Sequence, residues 1–286
     1  MRDGSGWVPI RRPIRRCRSP DRLSTLGRSK LAPGFAVSLP SPSRADERSL
    51  NAEVPFNAEV PLNAEVPFNA EVPLNAEMPL DAPRLRAGLV RVRRAVDRHA
   101  DYLTRLDAVL GDGDHGDNLS TGFRAVEDLL AELPDETPPG ELLRAVGHRL
   151  VATVGGASGP LYGTAFIEAG FRAGDTAELG PEQIGEMLVA AADGLARRGR
   201  CTLGDKTILD TLRPAAEAYR DAVAGGGSGS TAAAAAISAA RSGVLATRPL
   251  VAKRGLALRL GERSAGHLDP GAVSCLVILV ALAGDD

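Results

Sequence analysis

The sequence predicts an all-α fold, an antiparallel helical bundle preceded by a tail that does not fold with it. Three observations carry this. Apolar residues recur at helical spacing through most of the chain after residue 83, strand-like alternation is nearly absent, and short glycine-rich turns separate the helical segments.

The tail is set apart by composition. Residues 1–50 of the 286 hold eleven Lys/Arg against four Asp/Glu, with many Pro and Ser and no periodic apolar stripe. From Asn51 to Leu80 a hexad repeats five times, as Asn-Ala-Glu-Val-Pro followed by Phe or Leu, and ends in Asn-Ala-Glu-Met-Pro-Leu. A proline at every sixth position removes a backbone donor and biases its predecessor away from the α region, so the tract is expected to be extended or disordered. Units of this length also fall well short of the roughly 20 residues of a solenoid repeat. The charges of the two tail segments nearly cancel, +7 for residues 1–50 against −6 for residues 51–83. No aromatic platform accompanies the basic half, so nucleic acid is not an expected partner. The Arg-rich stretch superficially resembles a transit peptide, but the tail lacks the apolar core of about 7–15 residues that secretion needs. The predicted division is a disordered low-complexity tail over 1–83, with its repeats at 51–80, and a helical domain over 84–286, long enough for one substantial core.

Within the domain, Leu85, Leu89, Val92 and Val96, with Leu103 and Leu106 further on, trace the apolar stripe of a first helix. Leu119 to Leu133 repeats the pattern after Asn118, a candidate cap, and Gly140 to Val154 adds a third helix. Further helices are predicted at Tyr162–Arg172, Pro181–Arg198, Lys206–Ala222, Ser230–Leu245 and, as a short one, Arg248–Gly255. Asp269 with Pro270 is a natural helix-start pair, the Asp as N-cap and the Pro at N1, opening a last helix at Gly271–Ala283. The apolar run Val273 to Ala283 is about half the length that spans a bilayer, so it reads as a buried terminal helix and no membrane partner is expected. Cys17, Cys201 and Cys275 have neither metal spacing nor an even pairing, which fits a reducing, cytoplasmic compartment.

The chemistry concentrates where the first helix ends. Between Leu106 and Asn118 stand Asp107, Asp112, Asp114 and Asp117, and like charges this close repel unless a cation sits among them. Carboxylates are hard ligands suited to Mg²⁺ or Ca²⁺, and Mg²⁺ is commonly shared with phosphate oxygens. Asp-Gly-Asp is also an ordinary turn sequence, in which Gly supplies positive φ and Asp bonds its own backbone. A calcium-loop reading fails, because its third ligand position is Gly116, its obligatory glycine is Asp117 and its bidentate glutamate is Phe123.

Glycines and polar residues cluster at three further helix junctions, Val154–Gly163, Gly199–Thr207 and Leu260–Ala272. In an up-and-down bundle alternate junctions return to one end, where converging N–H groups and helix N-termini suit an anionic phosphate. The small residues of Gly155 to Gly163 fit either a ligand approaching the backbone or a tightly packed helix. Gly199 to Thr207 imitates a Walker A loop, but Asp205 stands between the second glycine and Lys206, which breaks the required adjacency. His115 and His267 read first as hydrogen-bonding loop residues.

Jointly, Gly111-Asp112-Gly113-Asp114-His115-Gly116, Gly156 through Thr164, Gly204-Asp205-Lys206-Thr207 and Leu260 through Ala272 resemble the L subunits of dihydroxyacetone kinase, over essentially all of residues 84–286. The resemblance implies eight antiparallel helices in a barrel-like bundle that holds ADP or ATP and two Mg²⁺ at one end. It implies metal ligation by Asp107, Asp112 and Asp114. Nucleotide contacts are implied at His115, Gly116, Asp117 and Asn118, at Ala157 and Ser158, at Gly199 and Ile208, and at Asp269, Pro270 and Gly271. Asp117 is expected to contribute its backbone to the phosphate loop. Two divalent cations bridging phosphoryl oxygens would neutralise the carboxylates and stabilise charge during transfer.

By the same resemblance, the partners are a K-type subunit that holds dihydroxyacetone covalently and, in one mode of the family, a phosphocarrier M subunit; a homodimer is compatible with it. No K-type domain is present in this sequence. Where the family commonly has Gly-Arg-Ala, this chain reads Gly255-Leu256-Ala257, so Arg254 or Arg259 substitutes or nucleotide affinity falls. A related family that phosphorylates fatty acids is set aside by His115 and by the Ala157-to-Tyr162 segment. Two functions of different class fit: a kinase subunit acting on dihydroxyacetone or another short ketose, and a nucleotide-sensing regulatory module.

Overall fold

The structure, a computed structural model, describes residues 79–284. The expectations for the hexad repeats and the basic segment lie outside the described residues. Among the described residues there are eight α-helices, one 3-10 helix and no strand. The helices are α1 (Ala82–Leu110), α2 (His115–Glu132), α3 (Pro139–Thr153), α4 (Ser158–Ala173), α5 (Pro181–Gly199), α6 (Leu209–Ala224), α7 (Gly229–Ala246) and α8 (Pro270–Ala283), with the 3-10 helix at Leu256–Ser264. Each helix packs on the next in sequence, and α8 returns to pack on α1, which closes the ring. The result is the all-α antiparallel bundle that the sequence predicts, in the eight-helix barrel form that the resemblance implies.

The stripe of α1 explains its place. Leu85, Leu89, Val92, Val96, Leu103 and Leu106 are all buried, and each such side chain contributes about 1.5–3 kcal/mol relative to exposure. Asp81 caps the helix by accepting from the Arg84 N–H, so α1 opens ahead of the expected boundary at 84. Just before it, Leu80 exchanges backbone hydrogen bonds with Leu179, in the α4–α5 loop. Phe123 of α2 is fully buried and meets Phe166 of α4 edge-on, with ring centroids 6.5 Å apart. Helices α3 and α4 come into unusually close backbone approach: a Cβ on Gly163 would lie 2.7 Å from the Gly147 carbonyl oxygen.

Helix α8 is apolar on every side, and Pro270 to Ile278 are all buried against α1, α6 and α7. Small residues facing the interior, such as Ala165, Ala233 and Ala236, leave an apolar cavity of about 390 Å³ inside the barrel. No described helix is long and apolar enough to cross a membrane.

Three predicted element boundaries are corrected. Helix α2 starts at His115 with Asp114 as its N-cap residue, and Asn118 lies inside its first turn. The cause is Asp107, whose Oδ2 accepts from the N–H groups of Gly113 and Asp114 and reverses the chain within four residues of α1. Helix α6 starts at Leu209 rather than Lys206, because Lys206 has a left-handed backbone (φ 62°) and Asp210 ties down the N–H groups of Gly204 and Thr207. No helix forms over 248–255, where the carbonyls of Thr247 and Leu250 are turned to Lys206 instead of along a helix; the 3-10 turn follows it.

Candidate functional site

The four junctions singled out by their glycines meet at one end of the barrel. They line a pocket of about 390 Å³ formed by the α1–α2, α3–α4, α5–α6 and α7–α8 connections. The parity of the bundle brings four helix N-termini to it, represented on the wall by His115, Ser158, Ile208 and Asp269 with Pro270. Each N-terminus carries about half a positive charge and unpaired N–H groups. On one side of the same pocket stand Asp107, Asp112 and Asp114, with a carboxylate oxygen from each within 4.8 Å of the others. Carboxylates that attract a cation therefore share one pocket with dipoles that attract an anion.

Asp107 is partly buried while Asp112 and Asp114 are exposed. Burial lifts the Asp107 carboxyl above its usual range, the N–H groups of Asp114 and Gly113 pull it back, and the Asp112 charge lifts it further. A hard divalent cation bound here would relieve that repulsion, and the all-oxygen donor set suits Mg²⁺.

Of the remaining residues expected at the site, His115, Asn118, Ala157, Ser158, Gly199, Ile208, Asp269, Pro270 and Gly271 are all on the pocket wall. Gly116 and Asp117 are not. Gly116 faces α1, where a Cβ would lie 1.9 Å from the Ala100 carbonyl oxygen, so it serves helix packing. Asp117 is exposed in the first turn of α2.

His115 is buried between Ser158 and Ser274, and burial drives its pKa down to about 4, so the ring is neutral at physiological pH. Asp269 caps α8, with Oδ2 2.7 Å from the Ala272 nitrogen; burial raises it to about 7, opposed by that hydrogen bond and by Lys206.

Several wall residues carried no role in the sequence. Lys206, only 2% exposed, donates from Nζ to the carbonyls of Thr247 (3.0 Å), Leu250 (3.1 Å), Ser264 (2.8 Å) and His267 (2.6 Å). Burial lowers its pKa to about 8, which leaves it charged at neutral pH. It fastens the α7–α8 connection to the α5–α6 loop rather than facing the pocket as a Walker lysine does. Asp205 beside it is buried and pairs with Arg254 (3.2 Å) and Lys253 (3.5 Å). Arg254 is thereby held on the pocket wall, next to Leu256, which is 41% exposed; Arg198 also lines the wall, and Arg259 does not. The signature Gly204-Asp205-Lys206-Thr207 was the available signal for the fastening. Nothing local distinguishes Arg198 from other surface arginines, whereas Arg254 is one of the two substitutes that the Leu256 departure points to, and it is the one on the wall.

Comparison with known proteins agrees with this geometry. The DAK2 domain family matches residues 109–284. The ADP-binding subunit DhaL of the PEP-dependent dihydroxyacetone kinase 2 of Listeria innocua is 41% identical over 185 residues, 64% of this chain and 85% of that subunit. The corresponding ADP-binding subunit DhaL of Escherichia coli is 39% identical over 195 residues, 68% of this chain and 92% of that one. Among solved structures, the dihydroxyacetone kinase of C. freundii in complex with AMP-PNP and Mg²⁺ superposes with a TM-score of 0.53 at 26% identity. The match covers 75% of this chain and 36% of that kinase, so the chain spans about a third of it. With a barrel of this topology and relatives this similar along nearly their whole length, the chain belongs to the DAK2 domain family, in the company of the ADP-binding L subunits of dihydroxyacetone kinases.

Proposed function

We propose that this chain is the ADP/ATP-binding subunit of a dihydroxyacetone kinase, a cytoplasmic phosphotransferase component in which the γ-phosphoryl group of the Mg²⁺-bound nucleotide passes to a hydroxyl of dihydroxyacetone held on a separate K-type subunit, leaving ADP. The observation that carries the proposal is the convergence of three clustered carboxylates and four helix N-termini on one pocket. A metal–polyphosphate is a ligand with both the cation and the anion that this arrangement accommodates. The relatives named as ADP-binding subunits and the AMP-PNP and Mg²⁺ complex of the C. freundii kinase support the same ligand.

Asp107, Asp112 and Asp114 would hold the metal, for which two Mg²⁺ is our reading. Bound Mg²⁺ supplies charge neutralisation at the phosphoryl oxygens. The N-termini of α2 and α4, through His115, Asn118, Ala157 and Ser158, take the phosphates. Gly199, Ile208 and the Asp269-Pro270-Gly271 turn form the remaining wall, and Gly116 and Asp117 would contribute through the backbone N–H groups of the first turn of α2. Arg254, steadied by Asp205, supplies a cation where Leu256 cannot. Phosphoryl transfer depends on positioning and electrostatics, so no covalent nucleophile is assigned to this chain.

The test is Mg-ADP binding by calorimetry, followed by transfer to dihydroxyacetone with a purified K-type subunit, using ATP and a phosphorylated M carrier as alternative donors. Asp112→Asn is expected to abolish Mg²⁺-dependent binding without changing helicity. Full binding by that variant would remove the metal assignment. Binding by the wild type without transfer from either donor would instead favour a nucleotide-sensing module, and erythrulose in place of dihydroxyacetone tests a different short ketose.

A further inference from the structure

A continuous line of hydrogen bonds runs from the barrel interior to the pocket wall, where it ends in His115 and Ser158. The Tyr162 hydroxyl is 2.6 Å from Ser274 Oγ and 3.2 Å from the Gly271 carbonyl oxygen. Ser274 Oγ lies 2.9 Å from His115 Nε2, and Ser158 Oγ lies 3.1 Å from His115 Nδ1. Tyr162, Ser274 and His115 are buried, and of the four only His115 and Ser158 line the pocket. The four side chains belong to α2, α4 and α8, so the line ties three helices together beneath the site.

The Pro270 carbonyl is a further acceptor beside the His115 ring; a neutral imidazole has one N–H and one acceptor nitrogen, so the line can be polarised in two ways. In the first, Nε2–H donates to Ser274, Ser274 donates to Gly271, and Nδ1 accepts the Ser158 proton. Ser158 then offers only lone pairs to the pocket, which repel an anion. In the second, Tyr162 donates to Ser274, Ser274 donates to Nε2, and Nδ1–H donates to Ser158. The Ser158 proton is then free for a ligand. Both arrangements contain the same number of protons, so the choice between them needs no net proton uptake. Phosphate oxygens at neutral pH are acceptors, and an acceptor at Ser158 selects the second polarity.

We infer that His115, backed by Ser274 and Tyr162, is a positioning residue that sets the Ser158 hydroxyl as a hydrogen-bond donor to a nucleotide phosphate. This rests on the nucleotide reading of the pocket. Neither Ser274 nor Tyr162 lines the pocket, so any effect of either on the ligand passes through this line or through the fold.

The experiment uses the full chain labelled with ¹⁵N-histidine, in which long-range ¹H–¹⁵N correlation distinguishes Nδ1–H from Nε2–H. His115 is expected as the Nδ1–H tautomer in the Mg-ADP complex. Calorimetry of a double-mutant cycle accompanies it. Ser158→Ala is expected to weaken Mg-ADP binding about tenfold, the scale of one hydrogen bond to a charged group. Tyr162→Phe and Ser274→Ala are each expected to weaken it about threefold in the wild type, and not at all once Ser158 is Ala. A purely structural role for Tyr162 or Ser274 would persist in the Ser158→Ala background. An Nε2–H tautomer in the complex, or full additivity, overturns the inference while leaving Mg-ADP binding intact. Failure of the wild type to bind Mg-ADP overturns the nucleotide reading and this inference together. The tautomer measurement needs no variant, so a misfolded substitution does not protect the idea.

Discussion

Replacing Lys206 with methionine removes an ammonium group from among four carbonyl oxygens while retaining an unbranched side chain of similar length. Nζ stands 2.6 to 3.1 Å from the oxygens of Thr247, Leu250, Ser264 and His267, and its three protons form at least three charge-assisted hydrogen bonds. Hydrogen bonds to charged groups contribute about 1.5–3 kcal/mol each, and orphaned buried carbonyls add desolvation cost, so the loss is on the order of 5 kcal/mol or more. That rivals the total stability of about 5–15 kcal/mol for a typical domain. The α7–α8 connection can relieve it by opening locally, because its 3-10 helix packs on little of the barrel besides α1. Hydrogen exchange is expected to show lost protection at the N–H groups of Ala252, Lys253 and Gly266, which bond Ser264 Oγ, the Asp205 carbonyl and the Arg248 carbonyl. Protection in α1 and α8 is expected to persist. Mg-ADP affinity should fall at least tenfold, since Arg254, Leu256 and Asp269 lose their placement. Unchanged exchange in 247–269, together with unchanged affinity, would refute the fastening role of Lys206.

Phe123→Ala should cost about 3–5 kcal/mol in urea denaturation, the range for a fully buried aromatic that leaves a cavity, here beside Phe166; a loss below 1 kcal/mol would contradict that packing. Acid stability provides a signed test at His115. Its folded pKa of about 4 lies below the ordinary 6.5, so the unfolded chain binds the extra proton between these values. The neutral ring's contribution is complete above about pH 6.5 and is lost as pH falls through 4, at no more than about 1.4 kcal/mol per pH unit. In metal-free buffer, His115→Asn should flatten that acid limb relative to the wild type, and an identical limb would show that the ring is not buried neutral. If Arg254 provides the pocket cation, Leu256→Arg changes Mg-ADP affinity less than threefold in the wild type but restores it in Arg254→Gln. A tenfold gain in the wild type would show by calorimetry that the site lacks a cation.

The helices were legible because their cause is local. A stripe such as Leu85 to Leu106 specifies one buried face wherever the helix is placed, and an Asp-Pro pair at 269–270 caps a helix through its own next residues. Lys206 was read as the start of a helix because its partners are 41 to 61 residues away. No window around it contains the carbonyls that hold it, nor does any local pattern state that its φ is positive. Rejection of the Walker loop stood on firmer ground. Asp205 broke the motif, and in the fold it turns to Lys253 and Arg254 instead of toward a phosphate. The same non-local pairing decides between the two arginines that the sequence offers, since Asp205 holds Arg254 on the wall.

The candidate site was legible at an intermediate level, through the parity of the bundle rather than through any single motif. In a ring of alternately directed helices, the N-termini of α2, α4, α6 and α8 emerge at one end and those of α1, α3, α5 and α7 at the other. Glycine and polar residues crowd the junctions leading into the first set, and the aspartates lie in one of these junctions. Four positive helix ends around three carboxylates form a site whose two halves oppose each other electrostatically. A cation alone would satisfy the acids and leave the N–H groups facing no anion, while an anion alone would meet the carboxylates. A ligand carrying both charges suits the whole wall, which is the physical reason for proposing that the aspartates and the other three loops form one site.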